Sequence, residues 1–293
     1  LYLLCSEGIA RLDLMTRQFK TLKYDNNIGA ICYHGRLYYS DKHKIMTFEG
    51  QSGRSKGYIT LPTKSTVTSI TVDTRGRMWI GTRGSGVYCY ASGRLSHPIT
   101  TGYITQIYED HAKTIWIGSW NDGFWTIDPQ GKCTNTRKGK LLVSNFVRTF
   151  CEDNSGVMWI GTYLGLTRYN PRTGASSTFT ANTQEKSLTN SSIWSIIKDN
   201  QGTLWVGTYF GGVNYFNPEY EIYTQYRLQE KNRSGLSSQI VGRMTEDDKG
   251  NLWICTEGGG LNIYNPHTQV FSHHNLPGTA ITQNNLKAIF FDK

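Results

Sequence analysis

An internal repeat constrains the fold of this chain more than any other feature. Five segments share an apolar run, an Asp, a turn that usually contains Gly, and a Trp six residues after the Asp. The five pairs are Asp73 and Trp79, Asp110 and Trp116, Asp153 and Trp159, Asp199 and Trp205, and Asp247 and Trp253. Because this spacing is the same in every copy, the register of the repeat is unambiguous, and its period decides which architecture forms.

Two weaker copies precede these five. Tyr38 in "GRLYYSD" and Tyr2 in "LYLLCSEGIARLD" take the Trp position, which gives seven copies with anchors 36 to 48 residues apart. Going from Trp253 past the last residue and on to Tyr2 adds 42 residues, which falls in the same range. The final segment "LKAIFFDK" therefore looks like the start of a repeat whose remainder is at residue 1.

Each copy reads as four short strands. Apolar and polar residues alternate over about five residues, and Gly, Asn, Asp or Pro interrupts each run. In one copy the runs are "FVRTFCED", "VMWIGTY", "GLTRYN" and "SSTFTA". Seven four-stranded units of this length predict an all-β, seven-bladed β-propeller over residues 1–293, as a single domain.

Closure of the ring is expected because an open array would leave an apolar sheet face and a strand edge uncovered. Leu286 to Asp292 would supply the inner strand of the shared blade, and residues 1 to 22 the other three. At this seam fewer residues separate the Asp position from the Trp position than in the other copies. A chain cut inside the connecting turn would have this effect. This indicates a domain that is a fragment of a larger protein.

Composition agrees with one domain packed largely by aromatic side chains, which make up 13% of the residues. No run of about 18 apolar residues exists, so no membrane segment is predicted. A signal sequence is not expected, since residue 1 already lies in a predicted strand. The six cysteines form no CxxC pair, which disfavours zinc and indicates buried free thiols, and they leave the redox compartment undecided.

The strongest repeats resemble a known family. "DNQGTLWVGTYFGGVNYFNP", "DNSGVMWIGTYLGLTRYNP" and "DDKGNLWICTEGGGLNIYNP" are similar to the two-component regulator propeller repeat of periplasmic sensors in hybrid two-component systems of gut Bacteroidetes. The spacer "NTQEKSLTNSSIWSI" is similar to that family's link between blades. Copies that depart from the pattern are those of Tyr2 and Tyr38 and the "GSWNDGFW" unit.

The resemblance implies a receptor. Its members usually carry two such propellers, an immunoglobulin-like domain, one transmembrane helix, a histidine kinase and a DNA-binding output. They sense oligosaccharides released from glycans and switch on the genes for glycan degradation. This implies a periplasmic, non-enzymatic sensor domain whose partners are an oligosaccharide, a second propeller and the downstream domains, with a homodimer as a further expectation. The repeat motif is structural, so no ligand residue is carried over.

The "D-x-x-G" motif predicts a turn between strands one and two, where Asp binds local amides and Gly takes a positive φ. Calcium loops use similar residues, but these turns lack the alternating oxygen ligands and the distal Glu. No metal and no cofactor are expected. The Trp should lie between blades, and the Gly that follows it should allow close approach of a neighbour.

The candidate ligand face is where two types of loop emerge, one after strand two and one before strand one. The first type begins four residues after each anchor, which is the repeated Trp or the Tyr that replaces it. The second type adds residues near the mouth of the channel. Candidate binding residues are Arg83, Trp120, Asn121, Tyr163, Tyr209, Phe210 and Glu257 from the first type, and Arg148, Trp194, Arg243 and Lys287 from the second. Aromatic faces suit sugar C–H surfaces, and polar groups bind hydroxyls and carboxylates. Tyr163 and Tyr209 equally suit a role as caps of blade ends.

Two other functions remain open from the sequence. An enzyme, such as a lyase, lactonase or glycosidase, would gather acid and base groups at the channel mouth, with Glu257, Glu7 and His43 as its candidates. A protein-binding propeller would carry an apolar patch on its outer rim or bottom face. The fold alone does not choose between them.

The charge balance points to one ligand subclass. The chain has 31 Lys and Arg against 22 Asp and Glu, a formal charge of +9. Arg83, Arg148, Arg243 and Lys287 would place part of it on the ligand face and attract anions. No nucleic-acid motif and no amphipathic helix is visible, so an acidic oligosaccharide is favoured over nucleic acid or membrane. Dispersed charge that serves solubility explains the composition equally well.

Overall fold

The structure is a computed structural model that describes residues 1–5, 8–25, 28–49, 54–137, 139, 141–182, 187–218, 222–226, 228, 235–274 and 285–290. Every regular element in these residues is a β-strand. The chain divides into two compact units, Leu1–Tyr24 with Thr149–Lys293, and Asp25–Arg148. The all-β prediction is therefore confirmed for the described part of the chain.

The first unit contains four sheets of four antiparallel strands, except that Val147 and Arg148 at the start of one strand belong to the second unit. One sheet has the order β28-β1-β2-β3 and joins Leu286–Phe290, Tyr2–Cys5, Gly8–Leu12 and Phe19–Tyr24. The others follow chain order: β16–β19 (Val147–Glu152, Met158–Thr162, Gly165–Tyr169, Ser176–Phe179), β20–β23 (Ile193–Lys198, Leu204–Thr208, Gly212–Asn217, Ile222–Tyr226) and β24–β27 (Val241–Glu246, Leu252–Thr256, Gly260–Asn265, Val270–His274).

The second unit contains a four-stranded and an eight-stranded sheet. The smaller one is β4–β7 (Ile31–Tyr33, Leu37–Asp41, Lys44–Glu49, Arg54–Thr60). The larger one comprises β8–β11 (Val67–Val72, Met78–Gly84, Val87–Ala91, Arg94–Ile99) and β12–β15 (Gly102–Glu109, Ile115–Ser119, Phe124–Ile127, Cys133–Thr136). These two repeats are joined because the end of β9 pairs with the start of β12, through Gly84 with Gly102 and Arg83 with Tyr103.

The C-terminal strand pairs with the N-terminal one. Tyr2 lies opposite Phe290, and Cys5 opposite Leu286, in an antiparallel ladder. The predicted strand extended to Asp292, which lies outside the described residues. The closed ring of seven blades stays a prediction.

Burial decreases from the inner strands to the outer strand of a repeat. All five residues of β17 are buried, whereas three of the four residues of β19 are exposed. A strand that is covered on both faces needs an almost continuous apolar run, and "MWIGT" supplies it. The fourth strands are polar because one of their faces meets water.

The conserved spacing of the repeat has a direct structural cause. In each of the five repeats the indole Nε1 of the Trp donates to Oδ2 of the Asp six residues earlier, at 2.8 to 2.9 Å. The other oxygen of the Asp binds the turn: Oδ1 of Asp153 accepts from the backbone N–H groups of Ser155 and Val157. The predicted turn chemistry is confirmed, and the bond to the Trp is an addition to it.

The anchor tryptophans pack between successive sheets, as predicted. Trp159 lies in one buried cluster with Ile193 and Val206 of the next repeat, and Trp205 lies with Val241 and Ile254. All five anchors are at most 4% exposed. Such large buried aromatic surfaces contribute the main favourable term to repeat packing.

The Gly that follows the anchor lets the next repeat come close. A Cβ on Gly161 would lie 2.6 Å from Cγ2 of Ile193, and one on Gly207 would lie 2.7 Å from Cγ1 of Val241. Both contacts are too short for real carbon atoms. The predicted close approach is therefore confirmed at these two positions.

Candidate functional site

The predicted loop residues share one place in the repeat. The backbone N–H of Trp120 donates to the carbonyl of Tyr103 at 2.9 Å, and that of Tyr209 donates to the carbonyl of Ser192 at 2.8 Å. Arg83 and Glu257 make the equivalent bonds, to Thr66 and Ile240. In each of these four repeats the loop after strand two thus meets the segment before strand one, as the sequence predicts.

In the second unit these loops build a column of stacked side chains. The guanidinium of Arg83 lies 5.3 Å from the ring centre of Tyr103. The Tyr103 ring stacks on Trp120 with centroids 5.2 Å apart and planes within 5°. Trp120 also contacts Phe146, with ring centroids 3.8 Å apart and planes 38° apart. Finally, the guanidinium of Arg148 lies 4.4 Å from the Phe146 ring centre.

The column therefore has a cation at each end and three aromatic rings between them. Its middle ring, Trp120, is 42% exposed, and Arg83 is exposed as well. Tyr103, Phe146 and Arg148 are half-buried. Cation–π contacts of this kind contribute roughly 0.5–1 kcal/mol each at exposed sites. The column both packs neighbouring loops together and presents an indole to solvent.

Sequence reasoning named three members of this column, Arg83, Trp120 and Arg148, and missed Tyr103 and Phe146. A signal for the missed pair exists in the repeat. Each stands immediately before the buried β-branched residue near the start of strand one, Ile104 or Val147. The backbone bond described above brings Tyr103 beside Trp120, and a bond from the N–H of Gly123 to the carbonyl of Asn145, at 2.9 Å, brings Phe146 beside the same loop.

The predicted Asn121 is exposed next to Trp120. The following residue, Asp122, forms an ion pair with Arg137 at 2.9 Å, and the Arg137 side chain is 63% exposed. An exposed pair of this kind contributes little to stability. It does leave a carboxylate, a guanidinium and a side-chain amide beside the column.

The first unit carries a second aromatic group. Trp194 stacks on Tyr209 with centroids 5.6 Å apart and planes 22° apart. Phe210 meets Tyr209 edge to face, with centroids 4.3 Å apart and planes 71° apart. The three rings form a corner, and Phe210 at its tip is 55% exposed. This brings Trp194, predicted from the second type of loop, together with Tyr209 and Phe210, predicted from the first.

Tyr163 and Leu164 form the corresponding loop tip after β17, and they are 49% and 45% exposed. A half-exposed ring suits both contact with a ligand and a cap on the end of its blade, so both roles of Tyr163 stay predictions.

Two predicted cations lie on inner strands of the first unit, one on β24 and one on β28. Arg243 is only partly exposed, and burial lowers the pKa of its guanidinium, although the Cys255 thiol opposes the shift. Lys287 is exposed. Their strands are adjacent, since a Cβ on Gly242 would lie 2.9 Å from the carbonyl oxygen of Leu286.

The residues predicted for an enzyme are not gathered within one unit. Glu257 belongs to the first unit and His43 to the second, and Glu7 lies outside the described residues. Among the described residues, no three His, Cys, Asp or Glu side chains are grouped to hold a metal ion. In the same part of the chain, no helix has the length and hydropathy to span a membrane.

A groove in the first unit has exposed apolar side chains at its border, and a protein-binding role for it stays a prediction. Leu14, Met15 and Val270 are 39%, 93% and 57% exposed, and they border this groove of about 520 Å³. The groove also contains Arg17 and Lys249. It lies beside the turn that carries Asp247, which is at the opposite end of β25 from the Glu257 loop.

Solved structures resemble this chain in fold. The extracellular domain of BT4673 from B. thetaiotaomicron, described as a one component system, has 20% identity and a TM-score of 0.62, and the match covers 94% of this chain and 45% of that one. A catalytically inactive variant of virginiamycin B lyase from Staphylococcus aureus with quinupristin has 14% identity and a TM-score of 0.69, over 86% of this chain and 85% of that one. At such identities the likeness shows the fold alone.

This chain spans less than half the length of the BT4673 extracellular domain. Among curated proteins, none matches it.

A family model matches the repeats themselves. The model described as two component regulator propeller matches residues 60–84, 98–121, 141–164, 187–210 and 235–258. Each matched segment contains one hydrogen-bonded Asp–Trp pair. The repeats, their four-stranded sheets and the solved relatives agree on a β-propeller. These five segments are therefore similar to the two component regulator propeller repeat, and together they cover less than half of the chain.

Proposed function

We propose that this chain is the ligand-sensing propeller in the extracytoplasmic, periplasmic part of a hybrid two-component sensor, and that it binds an oligosaccharide derived from a glycan. The family and the extracellular origin of BT4673, which is described both as a one component and as a hybrid two component system, support the sensor role. A second propeller and the downstream signalling domains of the same receptor belong to this proposal as partners, as does a homodimer.

One observation carries the choice of ligand: the exposed indole of Trp120 in a column that ends in Arg83 and Arg148. A sugar ring has an apolar C–H face that packs on an aromatic surface, and its hydroxyl groups need hydrogen-bond donors and acceptors at the edge. Trp120 supplies the surface. Asn121 and Asp122 follow it directly in sequence, and Arg83 lies on the Tyr103 ring that stacks on it, so all three supply polar groups.

The charge of the column favours an acidic sugar. Both cations of the column lie on aromatic faces, and such contacts position a guanidinium without neutralising it. A carboxylate or sulfate on a saccharide over Trp120 would therefore meet a fixed positive charge. Bidentate pairing of guanidinium with a planar carboxylate adds directional specificity.

Calorimetric titration of the purified domain with a panel of neutral, uronate-containing and sulfated oligosaccharides tests this function. We expect a binding isotherm for one class, lost or weakened at least tenfold in Trp120→Ala. Tyr58→Ala is the matched control, because Tyr58 is 41% exposed in the same unit but lies on strand β7, where it contacts the rings of Tyr38 and Tyr90. It should leave the affinity unchanged. The absence of binding across the panel would contradict the proposal.

The saccharides of the same titration also serve to test for enzymatic activity. The likeness to virginiamycin B lyase concerns the fold, which hosts both binding proteins and enzymes. Chromatography of the saccharide after incubation separates the two. A sensor domain returns it unaltered, and the appearance of a cleaved product would show a lyase or hydrolase instead.

A further inference from the structure

We propose that Phe210 determines which saccharide is bound, and that it selects ligands whose neighbouring sugar rings are not coplanar. This rests on the proposed function, because it takes the ligand to be a saccharide. Phe210 is at the tip of the loop between β21 and β22, beside Tyr209 and Trp194.

The backbone of Phe210 is in an unfavourable conformation. Its φ is 65°, in the left-handed region where the Cβ of an L-residue approaches its own backbone. Gly, Asn and Asp tolerate this region, whereas a bulky aromatic residue is rare in it. The fold therefore retains Phe210 at a cost in stability.

The next repeat shows that the loop itself does not need Phe at this position. Its loop between β25 and β26 has the same length, and Gly258 takes the equivalent place with a φ of 79°. The two loops are closed by the same bond, from Thr208 Oγ1 to the Gly212 carbonyl at 2.9 Å and from Thr256 Oγ1 to the Gly260 carbonyl at 2.8 Å. Gly would therefore satisfy the geometry of both loops.

Burial does not explain Phe210 either. With 55% of its surface exposed, the ring gains only part of the hydrophobic stabilisation of a core aromatic. A strained residue that the packing does not require is what a functional constraint produces at a binding site. The contact that stabilises the ring in the complex would then come from the ligand.

The geometry of the corner indicates the shape of that ligand. Trp194 and Tyr209 are nearly parallel, whereas the Phe210 ring is turned 71° from Tyr209. A saccharide that packs one sugar on the stacked pair and the next on Phe210 must bend between the two. A flat, ribbon-like chain would contact only one of the two surfaces.

Phe210→Asn tests this inference, because Asn tolerates the left-handed region and has no ring. The probes are pairs of saccharides that differ only in linkage, one bent and one extended, such as maltohexaose and cellohexaose. They are added to the acidic panel. We expect wild type to bind the bent isomer of a pair more tightly. Phe210→Asn should weaken that isomer at least fivefold and leave the extended isomer unchanged, while the thermal midpoint stays equal or rises. Gly258→Asn is the matched control and should change neither affinity.

The contrary outcomes are distinct. If wild type binds a saccharide and Phe210→Asn binds it equally well, or if the extended isomer is preferred, this inference is wrong and the proposed function stands. If Phe210→Asn lowers the midpoint by several degrees, the ring holds the loop and the inference is also wrong. If no saccharide binds to wild type, the proposed function fails and this inference fails with it.

Discussion

The indole Nε1 of Trp159 donates a 2.9 Å hydrogen bond to Oδ2 of Asp153, and both side chains are buried. The bond fixes the six-residue spacing, because the turn between strands one and two must return the chain to the same carboxylate. It also joins the turn to the packing between repeats, since Trp159 contacts the next sheet.

Replacing Asp153 with Ala should destabilise the domain by about 2 to 4 kcal/mol, since it leaves the buried indole N–H and the turn amides without their acceptor. Asp128→Ala is the matched control. Asp128 accepts from the backbone N–H groups of Gln130 and Lys132 in the same way, but it is less buried and binds those amides at an outer turn. It should cost about 1 kcal/mol or less. Chemical denaturation measures both, and equal losses would refute the role given to the Trp bond.

Part of the loss of stability in acid should come from protonation of the Asp73 and Asp247 carboxylates. Burial opposes their ionisation, but hydrogen bonds from Trp79 and Trp253 and from nearby turn groups outweigh it, so the pKa of each carboxyl lies below its usual value. Their contribution is therefore fully present above pH of about 4 and is lost as the pH falls through the lower folded pKa.

Denaturation between pH 2 and 7 checks this sign. Wild type should lose stability steeply below pH of about 4. Asp73→Asn and Asp247→Asn should be less stable than wild type at pH 7 and should show a flatter acid limb. A variant that keeps the steep wild-type limb would contradict the assignment.

The C-terminal strand should be essential for the sheet that it shares with the N-terminus. Deleting residues 286–293 removes β28 and exposes the edge of β1, and it uncovers the cluster that contains Leu3 and Trp253. We expect loss of the cooperative thermal transition, or a melting midpoint lowered by roughly 10 degrees or more, because a whole core strand is missing. An unchanged melting curve would show that β28 is dispensable.

Salt should weaken the binding of an acidic oligosaccharide. Screening reduces the attraction of Arg83 and Arg148 for an anionic group, so affinity should fall by roughly threefold to tenfold between about 50 and 300 mM salt. Arg83→Gln should lower the affinity and flatten the salt dependence. Arg94→Gln, at an exposed position in the hairpin between β10 and β11, should do neither. An affinity that is flat across the salt range would exclude an acidic ligand.

The repeat made the strands and turns predictable, because a fixed Asp-to-Trp spacing and period-two alternation are local features. The Asp–Trp bond was missed, although that spacing is its signature. Loop positions such as Trp120 and Tyr209 were also predictable, since they follow each anchor at a constant distance. The stacking of Trp120 between Tyr103 and Phe146 was not, because it depends on contacts between successive repeats. Neither was the left-handed backbone of Phe210, since only Gly, Asn or Asp signals that conformation in a sequence.

The central claim is that the loop aromatics, and not the anchors, face the ligand. Fluorine NMR of the domain labelled with 5-fluorotryptophan tests it most directly, because its eight tryptophans report separately. On addition of the saccharide that binds in calorimetry, we expect the resonance of Trp120 to shift. Those of the five buried anchors should stay in place. Shifts confined to the anchors, or no shift of Trp120 at saturating saccharide, would contradict the account.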